Sequence, residues 1–285
     1  MIPFGGIGIC LDTKAFLWYN SIYTKYYPKA WWVNLFGGFE IIGGLLIKYH
    51  GKEKDVLIPE DVTRIIDEAF AGCPIESVTV PRSVTAIDEC AFRGCTELEE
   101  VLLPDSLRII GGGSFSGCTK LGDIYLPDNL QKLGISAFSD CVSLAEVRFP
   151  AGLAAVEENA FSGCTVLSRA YLPEGLTEIC ARVFSDCRVL EFVRIPNSVT
   201  IIGNAAFQNC AALDKITFPP KTREIGASAF SGCGSLKKVS LPDGLISIGD
   251  HAFENCTALE SINVPASVQE IGKNAFSGCS KLEIT

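Results

Sequence analysis

The chain has 285 residues, 48% of them hydrophobic, and a formal charge of -9. The charge is uneven. Residues 1–54 hold six lysines against Asp12, Glu40 and Glu53, which leaves 18 basic and 30 acidic residues in 55–285. A body that acidic repels phosphate backbones and argues against nucleic acid as a partner.

In chain order, the N-terminal segment comes first. Asp12 and Lys14 interrupt its apolar run and no basic start precedes it, so it does not read as a secretory signal. Residues 31–47 are apolar but contain Asn34, Glu40 and four glycines. A membrane span wants about 20 cleaner residues, so a buried cap is the better reading and a membrane partner is not expected. All three tryptophans (Trp18, Trp31, Trp32) and five of the seven tyrosines lie in residues 1–53. Such an aromatic-rich piece has the area to cover one end of a stack.

From there the chain repeats. Phe92, Phe115, Phe138, Phe161, Phe184, Phe207, Phe230, Phe253 and Phe276 follow one another at 23 residues, with Phe70 leading by 22. A fixed period of this size means stacked identical units rather than a globule with a cleft. Residues 104–126 show one unit. Pro104 opens it and ends the preceding strand, because proline has no N–H to give a sheet. Leu107 and Ile110 follow, then Gly111, then Ser114-Phe115. Two residues past every repeat Phe stands Gly, Asp or Asn, the types that tolerate a left-handed backbone. That position is expected to have φ > 0 and to close a short helical turn. The unit ends on Leu121, Ile124 and Leu126, a short strand with alternate residues inward.

Three residues after each repeat Phe comes a cysteine, from Cys73 to Cys279. A ladder of identical positions reads as core thiols, since free cysteine packs as a small hydrophobe. Cys10, Cys90 and Cys180 lie outside it and read as the more reactive thiols.

The order L-x-x-[VI]-x-L-P, V/L-x-x-I-G, A-F-x-x-C resembles the BspA-like (treponemal-type) leucine-rich repeat. The likeness covers residues 56–285 in ten copies. It extends to a leading hairpin at Phe39-Glu40-Ile41 and Leu45–Tyr49. It implies an α/β or mostly-β solenoid, curved, with a parallel sheet on its concave face. It also implies a non-enzymatic binding role, often at a microbial surface. The resulting organisation is an N-terminal cap over 1–53 and ten units over 54–285. The last unit stops inside its strand, at Lys281–Thr285, and reads as a cut edge.

Catalytic chemistry is not legible. His50 and His251 share no spacing with a nucleophile and read as solvated surface; no metal, P-loop or dinucleotide spacing occurs, so no cofactor is expected. What remains is one outward side chain per strand: Thr79, Leu102, Tyr125, Arg148, Tyr171, Arg194, Thr217, Ser240 and Asn263. The ends of this column look bland. Its middle, Tyr125, Arg148, Tyr171 and Arg194, with Arg169 and Phe192 beside it, carries the types that dominate interface hot spots. These six residues are the candidate site, for a protein partner on the concave face, unless Glu146 and Glu191 simply neutralise the arginines. By family resemblance the chain is an adhesin-like surface module. Missing secretion signals and many free thiols favour an intracellular scaffold instead.

Overall fold

The computed structural model describes residues 34–283 as a β-solenoid of about ten turns, with no helix among them. Two antiparallel hairpins lead, β1 (Asn34–Phe36) on β2 (Phe39–Ile42) and β2 on β3 (Leu45–Tyr49). β3 then joins the solenoid as a parallel neighbour of Arg64–Ile65. The expected leading hairpin is therefore present. The aromatic cap residues before Asn34 lie outside the described residues.

Most coils carry two strands; in two of them the longer strand is reduced to a single bridge, at Asp123 and Lys215. The sequence foresaw one, the three-residue strand such as Glu146–Arg148, Arg169–Tyr171 or Phe192–Arg194. It did not foresee the other, a two-residue strand that follows the proline turn, running from Arg64–Ile65 to Glu270–Ile271. Both stack in parallel, and residues 23 apart face each other, as Ile109 faces Lys132 and Lys132 faces Ala155. The period in the sequence is thus the circumference of one coil. Proline sets the corner between the strands: its carbonyl accepts the N–H three residues on, as Pro104 does from Leu107 and Pro242 from Leu245.

The expected left-handed position is found in all ten units, from Gly72 (φ 68°) to Gly278 (φ 75°), with Asp140, Asp186, Asn209 and Asn255 between 58° and 61°. The helical turn is not. The segment is a run of tight turns with a second left-handed residue two places before each Phe: Glu68, Cys90, Gly113, Ser136, Asn159, Arg182, Ala205, Ser228, His251 and Asn274, all at φ 54–60°. The reason lies in the hydrogen bonds. Every second N–H points along the stack, not back along the chain. Phe138 donates to the Ala160 carbonyl, Ser136 to Glu158 and Asp140 to Ser162, each in the next coil. A helix would turn those donors inward, so the stack overrides it.

The core is a column of rings. From Phe70 to Phe276 successive phenylalanines lie 4.7–6.0 Å apart with planes within 17°. Tyr49 adds a ring at 5.1 Å from Phe70, and Phe39 another at 5.0 Å from Tyr49. Tyr49 even repeats the Phe hydrogen bond, donating its N–H to Ala69. It is the ring of a coil before the first, hidden from periodicity by its 21-residue offset. Its hydroxyl donates to Glu53, and burial followed by that contact pushes its pKa up to about 12.

The ladder cysteines are free, as are all those described, and eight of the ten are fully buried. Each thiol from Cys95 on donates to the Phe carbonyl of the previous coil; Cys118 to Phe92 and Cys187 to Phe161, both at 3.2 Å, are examples. The same carbonyl also takes the N–H of the Cys in its own coil, as Phe92 does from Cys95. One small apolar side chain with a donor fills this site. Among the thiols outside the ladder, Cys180 is half-buried, and burial beside Glu178, Glu158 and Glu157 pushes it up to about 11. Cys180 therefore holds little thiolate at neutral pH, and Cys10 lies outside the described residues. The half-exposed Cys279 is instead pulled down, by a contact from the Cys256 thiol.

Departures from the repeat are satisfied locally. Ser114, where most units have Ala, donates to Gly111 and Asp88 at 2.7 and 2.9 Å. Thr222, in place of an aliphatic, is fully buried with its hydroxyl 3.5 Å from the Val199 carbonyl. The repeated Gly after the second strand is required by close approach: a Cβ at Gly226 or Gly249 would meet the previous coil at 2.5–2.7 Å.

Replacing Phe161 by Ala should cost roughly 3–5 kcal/mol, the range for large-to-small core changes. The loss should spread to adjacent coils, because each ring packs on two others. Thermal melts and hydrogen exchange of F161A check both. The thiols give a second expectation. Burial raises Cys95 and Cys233 from about 9 to about 12 and holds Cys141, Cys164 and Cys210 well above their ordinary value. Folded pKa values above unfolded ones mean stability present below about pH 9 and lost as pH rises toward 12. Melting temperature should fall across that window, and replacing several ladder cysteines by Ala should flatten the fall.

Candidate binding ladder

The middle residue of each three-residue strand points into the core: Val147, Ala170 and Val193 are buried. Its two neighbours face out, so the ladder displays two columns. Register fixes them. One contains Glu146, Arg169 and Phe192; the other contains Arg148, Tyr171 and Arg194.

The second column holds four of the six sequence candidates. Tyr125 is 64% exposed, one rung before Arg148. The Arg148 guanidinium carbon stands 5.9 Å from the Tyr171 ring centroid, within cation–π range. Tyr171 in turn meets Phe192 diagonally, centroids 5.5 Å apart and planes tilted 48°. The structure thus brings Arg148, Tyr171 and Phe192 into one cluster, with Arg169 and Arg194 on adjoining rungs. The expected neutralisation is half right. Arg148 donates to Glu146 at 2.8 Å, but Arg194 pairs with Glu174 at 2.9 Å, not with Glu191. Both pairs are exposed and contribute little to stability.

Two features were missed. The column starts one coil earlier, at Leu57, which pairs in register with Thr79 and is 71% exposed; Leu102 beyond it is 53% exposed. The N-terminal end is therefore apolar, not bland. Second, a groove of about 640 Å³ runs beside the ladder, from Arg169, Tyr171 and Phe192 past Glu191 and Asp214 to Lys237. Its floor is Ala212, Gly234, Ser235 and Ala258. Ala212, Ser235 and Ala258 occupy the position just before the core Leu, which upstream coils fill with Glu97, Lys120, Ser143, Val166 and Val189. Three consecutive coils with a small residue there, Ala212, Ser235 and Ala258, line the groove.

No group of three or more His, Cys, Asp or Glu among the described residues could hold a metal, and no helix there is long and apolar enough to cross a membrane. His50 Nε2 lies 3.2 Å from Glu40. His251 is half-buried with Nδ1 3.1 Å from Glu254, so the expectation of a freely solvated ring fails for it.

The sequence profile of the BspA type leucine rich repeat region matches residues 47–168 and 155–283. The chain belongs to this family. Among solved structures it is similar to a leucine-rich repeat protein from Bacteroides ovatus, 26% identical, covering 88% of this chain and 91% of that one with a TM-score of 0.48. It is similar also to a leucine rich cell surface protein from Faecalibacterium prausnitzii, at 27% identity, 90% and 93% coverage and a TM-score of 0.41. A third is the T. pallidum leucine rich repeat protein, at 26% identity, 84% and 82% coverage and a TM-score of 0.34. No curated protein matches the chain. The three-residue strands form parallel ladders of this leucine-rich repeat stack.

Like charges stack on these ladders. Asp123 bridges to Glu146, and the repeat places Glu100 on the rung before; Lys215 bridges to Lys238. Like charges directly opposite destabilise a sheet by up to about 1 kcal/mol. The ladder is interrupted at these two coils, each reduced to a single bridge. Asp123→Lys should therefore raise stability by about 0.5 kcal/mol, measured by urea unfolding, while Lys215→Glu, facing Lys238, should do the same.

Proposed function

We propose that this leucine-rich repeat protein is a non-enzymatic protein-binding module. It presents Tyr125, Arg148, Arg169, Tyr171, Phe192 and Arg194 to a protein partner on its concave face. The carrying observation is the Arg148–Tyr171–Phe192 cluster on a rigid ladder, opening into the groove. Tyr, Phe and Arg combine large contact area with directional hydrogen bonding, and the backbone beneath them is locked by parallel pairing, so little entropy is lost on docking. Adhesin-like recognition at a cell surface fits such a module. A second reading, an intracellular scaffold using the same face, draws on the free cysteines, which persist most readily in a reducing compartment.

Once a partner has been isolated by pull-down, the double change Tyr171→Ala and Arg194→Ala should weaken binding by more than about 1–2 kcal/mol. The control pair is Thr217→Ala and Ser240→Ala, on the same column. Asn263 is unsuited as a control, because its amide oxygen accepts the Leu241 N–H at 2.9 Å and so carries structure. Equal affinity of both double mutants, by calorimetry, would place binding elsewhere.

A further inference from the structure

The first outward column changes sign once, at its midpoint. Read along the repeat it runs Asp55, Ser77, Glu100, Asp123, Glu146, then Arg169, Phe192, Lys215, Lys238, Ser261. Five rungs carry only acid or serine, and the next five carry base, phenylalanine or serine. The molecule elsewhere pairs charges from coil to coil, as Lys54 does with Glu76, Arg64 with Asp88 and Lys132 with Glu157. Here it does not. Among the described residues Glu100, Asp123, Arg169, Lys215 and Lys238 make no ion pair, and the stacking of like charges costs stability that no ion pair among those residues offsets.

A column that is acidic on one side of its midpoint and basic on the other is complementary to itself reversed. We propose that the partner on this face is a second copy of the same chain, docked ladder to ladder about a two-fold axis that runs parallel to the strands between the rungs of Glu146 and Arg169. This rests on the reading of the ladder as a protein-binding surface and names its occupant. Such an axis pairs each rung with its mirror rung, as an isologous interface requires. Glu146 then faces the partner's Arg169, and Glu100 faces the partner's Lys215. The second column obeys the same rule: Arg148 falls on the partner's Tyr171 and Tyr125 on the partner's Arg194, and the two-fold axis repeats each, giving four cation–π pairs from four side chains of each copy. At the strand edge, Glu76 meets the partner's Lys237, against one like pair, Glu99 with the partner's Asp214.

Ten rungs at about 4.8 Å and strands about 10 Å long give on the order of 500 Å² per copy. That is below the roughly 800 Å² of a standard interface, so the dimer should be reversible rather than obligate.

The test uses the full chain in sedimentation velocity across the micromolar range. Wild type should pass reversibly from monomer to dimer. The acid-side variant, Glu100→Lys with Glu146→Arg, and the base-side variant, Arg169→Glu with Lys215→Glu, should each weaken the dimer at least tenfold. Mixing the two variants should restore dimer as a heterodimer, because each supplies the charges the other now needs. One chain carrying all four changes should dimerise with itself. Wild type that stays monomeric at the highest concentration overturns the proposal, as does a mixture no more associated than its components. A monomeric wild type that still captures a foreign protein through Tyr171 leaves the binding-module reading standing and removes only this one.

Discussion

Everything in this molecule hangs on the way one coil satisfies the next. The Phe segment gives every second N–H to the following coil, and each Phe carbonyl from Phe70 to Phe253 takes a thiol from it. No coil completes its hydrogen bonds or buries its ring alone. A single turn of the chain is therefore unstable, and stability accrues only through neighbours. The column of rings adds about 0.5–1.5 kcal/mol per stacked pair beyond simple burial. The bonds survive where the spacing shortens to 22 residues, as Phe70 donates to Ala91 and Gly72 to Arg93.

The rigidity so gained is what makes the outer face usable. Val147, Ala170 and Val193 anchor each strand in the core, leaving their neighbours fixed in two columns. Selection for packing has nothing to say about these columns, so their composition is free to serve recognition. They are far from uniform. One runs from apolar Leu57 and Leu102 through the Tyr–Arg cluster to polar Ser240. The other reverses its charge halfway. The groove beside them is lined by small residues, Ala212, Gly234, Ser235 and Ala258.

The core thiols tie the fold to its chemical surroundings. A reduced ladder donates; an oxidised sulfur could not. The same burial that keeps Cys141, Cys164 and Cys210 protonated makes them poor nucleophiles, so the ladder is protected as long as the coils stay closed. Cys279 is only half-buried, so it is the ladder thiol, with Cys73, most open to solvent.

Much was legible in the sequence by itself. The 23-residue period, the inward Phe, Leu and Cys, the ten left-handed Gly, Asp and Asn positions and the outward Tyr–Arg residues all follow from spacing and residue type, because these positions demand particular shapes. What the tertiary structure alone decided has a common cause. The second left-handed position accepts Glu, Cys, Ala, Arg or His, since the constraint there comes from hydrogen bonds to the next coil and leaves no mark on side-chain choice. The two-residue strands are too short to carry an alternating pattern. Tyr49 takes the place of a Phe outside the period, and the hairpins set its position, not a repeat. The groove, the charge-reversing column and the partners of Arg148 and Arg194 exist only once register sets residues 23 apart side by side. Sequence fixes what a coil must bury; stacking fixes which side chains then become neighbours.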